Sequence, residues 1–268
     1  QQGQSLVQLH PASGGSAEQE SALRSSESSF DSSTASLAFS FLICSVSISN
    51  LSPGTHSISA VYSGDDNNAG STSDPVTQVI RATTTTTITS SANPAGYAAP
   101  ITFTVTVATD TTTATGSVTI RDGGATLTTC TLSGGSCTWT TSSPLSLGDH
   151  AITATYAGDA GHAGSTSGTL TQTIETVATT TTLTSNVNPS VYRQTVRYTI
   201  LVESTTGIPT GSVTVFAGGS SIGSCTLTAV SCSVTDGSRA VGTHEITAVY
   251  AGSTNYRTST SSAYSQVV

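Results

Sequence analysis

Along residues 82–268 apolar and hydroxyl side chains alternate with a period of two. Ile101, Phe103, Val105 and Val107 are separated by Thr residues and one another, and Val118 and Ile120 follow the same rule within 116–122 (GSVTIRD). Successive side chains of a strand point to opposite faces, so this period predicts strands with one apolar face. The β-branched run 82–90 (ATTTTTITS) predicts an opening strand, Asn93-Pro94 a turn, and Asp122-Gly123-Gly124 a hairpin turn. Further strands are expected at 125–131, 137–141, 150–156 and 169–174. Short strands separated by turns, with no helical period, predict an all-β fold: an immunoglobulin-like sandwich of two sheets.

The pattern is repeated. The stretch GTHSISAVYSGD from Gly54 returns as GDHAITATYAGD from Gly148 and as GTHEITAVYAGS from Gly242, 94 residues apart each time. That spacing is too long for a solenoid turn and matches one small domain, so three units are expected at 1–80, 81–175 and 176–268. The third follows the second with an offset of 95 that becomes 94, which one deletion between the fifth and sixth strands explains. The junctions at Arg81-Ala82 and 175–178 are too short for floppy tethers, which predicts a semi-rigid rod of tandem domains roughly 100 Å long.

The first unit matches its siblings from Cys44 onward but lacks the Thr-rich strand, the Asn-Pro turn and the GSVT strand. Residues 1–36 are mostly Ser, Gln, Glu and Gly, with Leu6, Val7 and Leu9 suggesting a strand. Two readings stay open. One is a divergent, partly flexible terminal domain; the other is an incomplete sandwich whose open edge accepts a strand from a neighbouring subunit, giving concentration-dependent fibres.

Composition narrows the partners. Of 268 residues only 8% are charged, 35% are hydrophobic and 5% aromatic, so the cores are thin. The seven basic residues are all Arg and scattered, and the formal charge is −8, which excludes nucleic acid and disfavours an anionic membrane surface. The most apolar run, 37–46 (LAFSFLICSV), is too short to span a bilayer, so no membrane insertion is expected. It contains Leu42-Ile43-Cys44, where Ile43 is too bulky for a lipoprotein cleavage site. The absence of Met points to a processed product, a fragment or the ordered part of something larger.

The motif G-[TD]-H-x-I-[ST]-A-x-Y-x-G-[DS], with the Ser-Thr-Ser that follows, the Thr-rich opening strand, the Asn-Pro turn and the G-S-V-T strand, resembles the bacterial immunoglobulin-like repeat domains of group 3. The likeness covers nearly all of 82–268 and the part of the first unit at 44–80. It implies a secreted or surface-attached bacterial protein whose modules act as spacers, stalks or adhesive arms, and names no ligand.

Five cysteines include two pairs, Cys130 with Cys137 and Cys225 with Cys232, at one spacing in equivalent places. Each pair is expected to face across a hairpin as a disulfide, implying an oxidising compartment; zinc would need further ligands nearby. Cys44 is left over as an unpaired thiol, buried or bridging between molecules.

His56, His150 and His244 recur before the sixth strand with no nucleophile recurring beside them, so they are read as turn-capping or packing residues. Tyr62, Tyr156 and Tyr250 share a face with Ile58, Ile152 and Ile246 and are expected in the core. Asp65 and Asp159 stand where the third unit has Ser253, too few carboxylates for calcium, and are read as turn residues. Neither metal nor cofactor is expected.

Gln78, Gln172 and Gln266 fall on the apolar face of the closing strand. Some bacterial surface sandwiches join a Thr of the first strand to a Gln of the last by an ester bond, and both elements are present; a buried Gln bonded to backbone is the ordinary alternative.

These readings converge on a non-enzymatic extracellular or cell-surface structural protein, acting as stalk, adhesin segment or self-assembling filament subunit. Its expected partners are copies of itself, other surface proteins or glycans. The alternative is a spacer or carbohydrate-binding region of a secreted hydrolase, for which Trp139, the only Trp, is the candidate platform. A third possibility is a phage or virion decoration domain.

Overall fold

The computed structural model describes residues 9–11 and 45–268. Leu6, Val7 and Cys44 lie outside the described residues, as does most of the segment at 1–36. The described residues divide into two compact units. One runs up to Thr84 and includes Ala108–Gly116 and Ala157–Ser165; the other comprises Thr85–Val107, Ser117–Tyr156 and Thr166–Val268.

In the first repeat the strands are β1 (Leu9–Pro11), β2 (Gly54–Ile58), β3 (Val61–Tyr62), β4 (Ser71–Thr72) and β5 (Val76–Ile80). β2 lies between β1 and β5 in an antiparallel sheet, with Leu9 opposite Ile58 and His56 opposite Gln78. The three described residues Leu9–Pro11 therefore pair with a strand of their own chain. Val76 and Val79 of β5 remain exposed.

The second repeat contains β6 (Thr84–Ser90), β7 (Ala95–Gly96), β8 (Thr102–Thr109), β9 (Ser117–Asp122), β10 (Ala125–Thr131), β11 (Ser136–Thr140), β12 (Gly148–Tyr156), β13 (Ser165–Thr166) and β14 (Leu170–Glu175). One sheet has the order β11-β8-β6 and the other β10-β9-β12-β14-β7. Ile101, Phe103, Val105, Val107, Val118 and Ile120 are all buried between them, as the alternation predicts.

The third repeat reproduces this with β15 (Thr179–Ser185), β16 (Val196–Ser204), β17 (Ser212–Ala217), β18 (Ser220–Thr226), β19 (Ser231–Asp236), β20 (Thr243–Tyr250), β21 (Ser259–Thr260) and β22 (Tyr264–Val267). Tyr198, Ile200, Val213, Val215, Ile246 and Tyr250 form the centre of its core, all fully buried. The fold is all-β, and among the described residues no helix is long and apolar enough to cross a membrane.

The alternation missed the short strands β7 and β13. After Asn93-Pro94 the chain leaves β6, in one sheet, and enters β7, which pairs in parallel with β14 in the other. The Asn side chain makes this crossover possible. Its Nδ2 donates to the Thr171 carbonyl at 2.6 Å and its Oδ1 accepts from the Thr173 amide at 3.0 Å, so a side chain supplies the partner that a backbone would give. Asn188 does the same to Ser265 and Val267 in the third repeat.

Candidate functional site

The polar residues that recur from repeat to repeat are the natural place to look for chemistry, and the structure shows where each is directed. In all three repeats the ring Nε2 of the recurrent His meets the carbonyl four residues earlier: His56 with Ser52 at 2.8 Å, His150 with Ser146 at 2.9 Å, His244 with Ala240 at 2.8 Å. These histidines cap the turn that leads into the sixth strand, as their position after it suggests.

Among the described residues, His150 has a second side-chain partner, an acid, that His56 and His244 do not show. Its Nδ1 lies 2.6 Å from the Asp122 carboxylate, and Ser146 Oγ is 3.4 Å from Nε2. The composition of this group is that of a Ser-His-Asp triad, but its geometry is not. A general base must offer a lone pair to the hydroxyl, and here Nε2 is engaged as donor to the Ser146 carbonyl. Both ring nitrogens face acceptors, which favours the imidazolium. Burial opposes that charge, yet the Ser146 carbonyl and the Asp122 carboxylate outweigh it and raise the His150 pKa. The third repeat has Ala217 at the Asp122 position and so cannot form the arrangement.

Asp159 Oδ2 accepts from the Thr115 amide and hydroxyl, and its Oδ1 from the Gly161 and His162 amides and the His162 ring. Burial alone would raise its pKa; these donations overcome it and hold the carboxyl well below the usual range. Asp65 plays the same part in the first repeat, accepting from Tyr62 Oη and from the Asn67 and Asn68 amides. Ser253 keeps only the backbone of this loop, with its amide donating to Tyr256 at 2.9 Å. The carboxylates are thus occupied as loop caps. No group of three metal-ligating side chains occurs among the described residues.

Gln172 and Gln266 are fully buried. Gln172 Oε1 accepts from the Ser90 hydroxyl at 2.6 Å, while Nε2 donates to the Ala92 and Thr173 carbonyls. Gln266 Nε2 donates to the Val187 and Val267 carbonyls. Each amide ties the crossover after the opening strand to the closing strand. The hydroxyl brought to Gln172 is that of Ser90, at the end of the strand, rather than a Thr. Gln78 is exposed and donates to the Val79 carbonyl at 3.3 Å.

The cysteines pair as Cys130–Cys137 and Cys225–Cys232, with Cα separations of 6.1 and 5.8 Å. The expected tight turn is present, closed by reciprocal bonds between Ser133 and Ser136, but the strands on either side of it join different sheets. Cys130 lies on β10 opposite Val118, and Cys137 on β11 opposite Val105, in the other sheet. The bond therefore staples the two layers, because the chain arches from one sheet to the other at 132–135. The open depression beside it is lined by Cys, Thr and Ser and carries no charged group.

Of the recurrent tyrosines, Tyr156 and Tyr250 are buried in the core, and Tyr62 is half-buried with its hydroxyl on Asp65. Trp139 stacks on the buried Phe103 with centroids 6.0 Å apart, half-buried rather than presented as a platform.

The sequence signals did not reveal the contact between the second and third repeats. Tyr97, in the loop after β7, meets Tyr256 edge-on, with ring centroids 6.1 Å apart. Thr206 Oγ1 donates to the Tyr97 carbonyl at 2.6 Å, and Arg257 Nε donates to Thr176 Oγ1 at 3.1 Å. Gly207 sits against them with φ +67°, and a Cβ there would fall 2.0 Å from Tyr256 Oη. Position 256 carries Asn68 and His162 in the other repeats, so no common chemistry marked it.

No curated protein matches the chain. Among solved structures it is similar to the fibronectin(III)-like modules of Clostridium thermocellum CbhA, with 18% identity, 67% of this chain and 91% of that chain covered, and a TM-score of 0.28. It is also similar to a beta-glycosidase from Bacteroides vulgatus, with 13% identity, 71% of this chain but 25% of that chain covered, and a TM-score of 0.26. The family model for the bacterial Ig-like domain (group 3) matches three times, at 8–81, 88–175 and 183–268. The chain belongs to the bacterial Ig-like domain family of group 3, as a tandem of three such repeats.

Proposed function

We propose that the chain is a non-enzymatic structural segment working outside a bacterial cell or on its surface, as a stalk or spacer. One observation carries this reading: the polar groups that recur between repeats are spent on the fold itself. Histidines cap turns, asparagines and glutamines bind the closing strand, and aspartates hold loops. The Ser146-His150-Asp122 grouping has its ring proton directed at a carbonyl. Two disulfides support an oxidising compartment.

The carbohydrate-binding alternative needs exposed aromatic rings in a row, and Trp139 is turned onto Phe103 instead. Adhesion and filament formation remain outcomes of the test. Purified chain is examined for turnover of ester and glycoside substrates, for binding on a glycan array, and by negative-stain microscopy over a concentration series. A stalk or spacer gives no turnover, no glycan retention and single particles. Retention lost on Trp139→Ala, or fibres that require residues 1–36, would replace this reading.

A further inference from the structure

In each repeat a serine locks the loop that leads into the closing strand. Ser73 Oγ accepts from the Ala60 amide at 2.9 Å and donates to the Asp74 carbonyl at 3.0 Å, while the Ser73 amide donates to the Ala60 carbonyl. Ser167 makes the same bonds to Ala154 and Gly168, and Ser261 to Ala248 and Ser262. The carbonyl that takes the hydroxyl proton belongs to Gly168-Thr169 in the second repeat and to Ser262-Ala263 in the third. In the first it belongs to Asp74-Pro75, the only Asp-Pro pair in the sequence.

An aspartate followed by proline has its own chemistry. Attack of the next residue's amide nitrogen on the aspartate side chain needs an N–H that proline lacks. What is left is attack of the carboxyl oxygen on the residue's own backbone carbonyl, which the covalent chain holds within reach. A donor already placed on the carbonyl oxygen stabilises the negative charge that forms there. The Ser73 hydroxyl is so placed, and accepting from the Ala60 amide makes it a better donor. The carboxylates of Asp65, Asp122, Asp159 and Asp236 are all engaged by hydrogen bonds. Asp74 is exposed, and no hydrogen bond or ion pair engages its carboxylate among the described residues.

We propose that Asp74-Pro75 is a self-scission site of the first repeat, where the Asp74 carboxyl cuts its own backbone bond in acid while the Ser73 hydroxyl holds the carbonyl oxygen. A carboxyl oxygen of Asp74 bonds to the backbone carbonyl carbon, and the carboxyl's proton passes through solvent to the Pro75 nitrogen. The C–N bond breaks, and the nitrogen leaves as a secondary amine. The cyclic anhydride left behind adds one water and regenerates the Asp74 side chain, now beside a free α-carboxyl group. The cut falls between β4 and β5. Because β5 is paired with β2, from Ile80 opposite Gly54 to Val76 opposite Ile58, both pieces stay joined by the ladder until the first repeat unfolds. A covalent tie is thereby exchanged for one that only folding maintains, whether or not the chain serves as a stalk.

The test incubates the purified 268-residue chain through a pH series, from neutral down to the most acid value at which circular dichroism shows it folded, and follows intact mass. Pieces corresponding to 1–74 and 75–268, together one water heavier than the chain, are expected to accumulate faster as pH falls and to separate only in denaturant. The same incubation in guanidinium gives the unfolded rate, expected to be at least about threefold slower because the hydroxyl is then no longer held on the carbonyl. Ser73→Ala should fall to that unfolded rate, Ser73→Thr should keep the folded one, and Asp74→Asn should abolish the cut. An intact folded chain at every pH of the series overturns the proposal. So does scission no faster in the folded chain than in the unfolded one, unchanged in a folded Ser73→Ala variant, or surviving Asp74→Asn. If Ser73→Ala does not fold, the ratio of folded to unfolded rates in the unaltered chain decides.

Discussion

His150 Nδ1 lies 2.6 Å from Asp122 Oδ2, joining the start of the sixth strand of the second repeat to the end of β9. Because the ring's other nitrogen faces the Ser146 carbonyl, both positions are satisfied only when the imidazole is charged. The folded-state pKa is raised above the unfolded value of about 6.5. The resulting stabilisation is fully present below that unfolded value and is lost as pH rises through the folded one. Asp122→Asn is therefore expected to lower stability by up to about 1 kcal/mol at pH 5 and by less at pH 9, solvent at the partly exposed carboxylate limiting the effect. Chemical denaturation at the two pH values checks this.

Each disulfide closes a short loop, and its removal frees the unfolded chain. The Cys130→Ala, Cys137→Ala double variant should lose about 2.5 kcal/mol in the chain-entropy account. Cys225→Ala with Cys232→Ala should lose a similar amount, since the sequence separation is 7 in both. Urea unfolding of oxidised and variant proteins measures the difference.

Gln172→Leu preserves volume but removes the amide's bonds to Ser90, Ala92 and Thr173 together, while Ser90 Oγ keeps its bond to the Ala92 carbonyl, so a loss of about 1–2 kcal/mol is expected. Gln266→Leu should cost less, because Gln266 Oε1 already lacks a partner. Intact mass accompanies the thermal melts. The expected mass is the sequence less four hydrogens for the two disulfides. A further deficit of one ammonia per repeat would mean that an ester joins Gln172 or Gln266 to a hydroxyl.

Gly207→Ala places a methyl group on Tyr256 Oη at a backbone conformation hostile to side chains. A destabilisation of about 2 kcal/mol follows from the crowding and positive φ together. Differential scanning calorimetry should show it in the transition of the third repeat.

Ser146→Ala distinguishes a turn residue from a nucleophile. Hydrolysis of an activated ester by the purified chain should be no faster than buffer, before and after the change. Trp139→Ala should register in stability instead of ligand binding, losing about 2–3 kcal/mol of packing against Phe103. Acceleration abolished by Ser146→Ala would overturn the turn-capping reading of His150.

The period-two alternation around Phe103 and Val118 determined the strands and their inward faces, because the side-chain direction of a strand is set by local geometry. The spacing of GTHSIS, GDHAIT and GTHEIT likewise determined the three repeats, and the position of each His after its turn foretold its capping role. Tertiary structure alone decided that Cys130 and Cys137 bind across layers, because which sheet a strand joins depends on partners distant in the chain. It also decided that Asp122 reaches His150, and that Tyr256 meets Tyr97. Tyr97 and Tyr256 lie in different repeats, and a long-range contact leaves no period for a sequence to display.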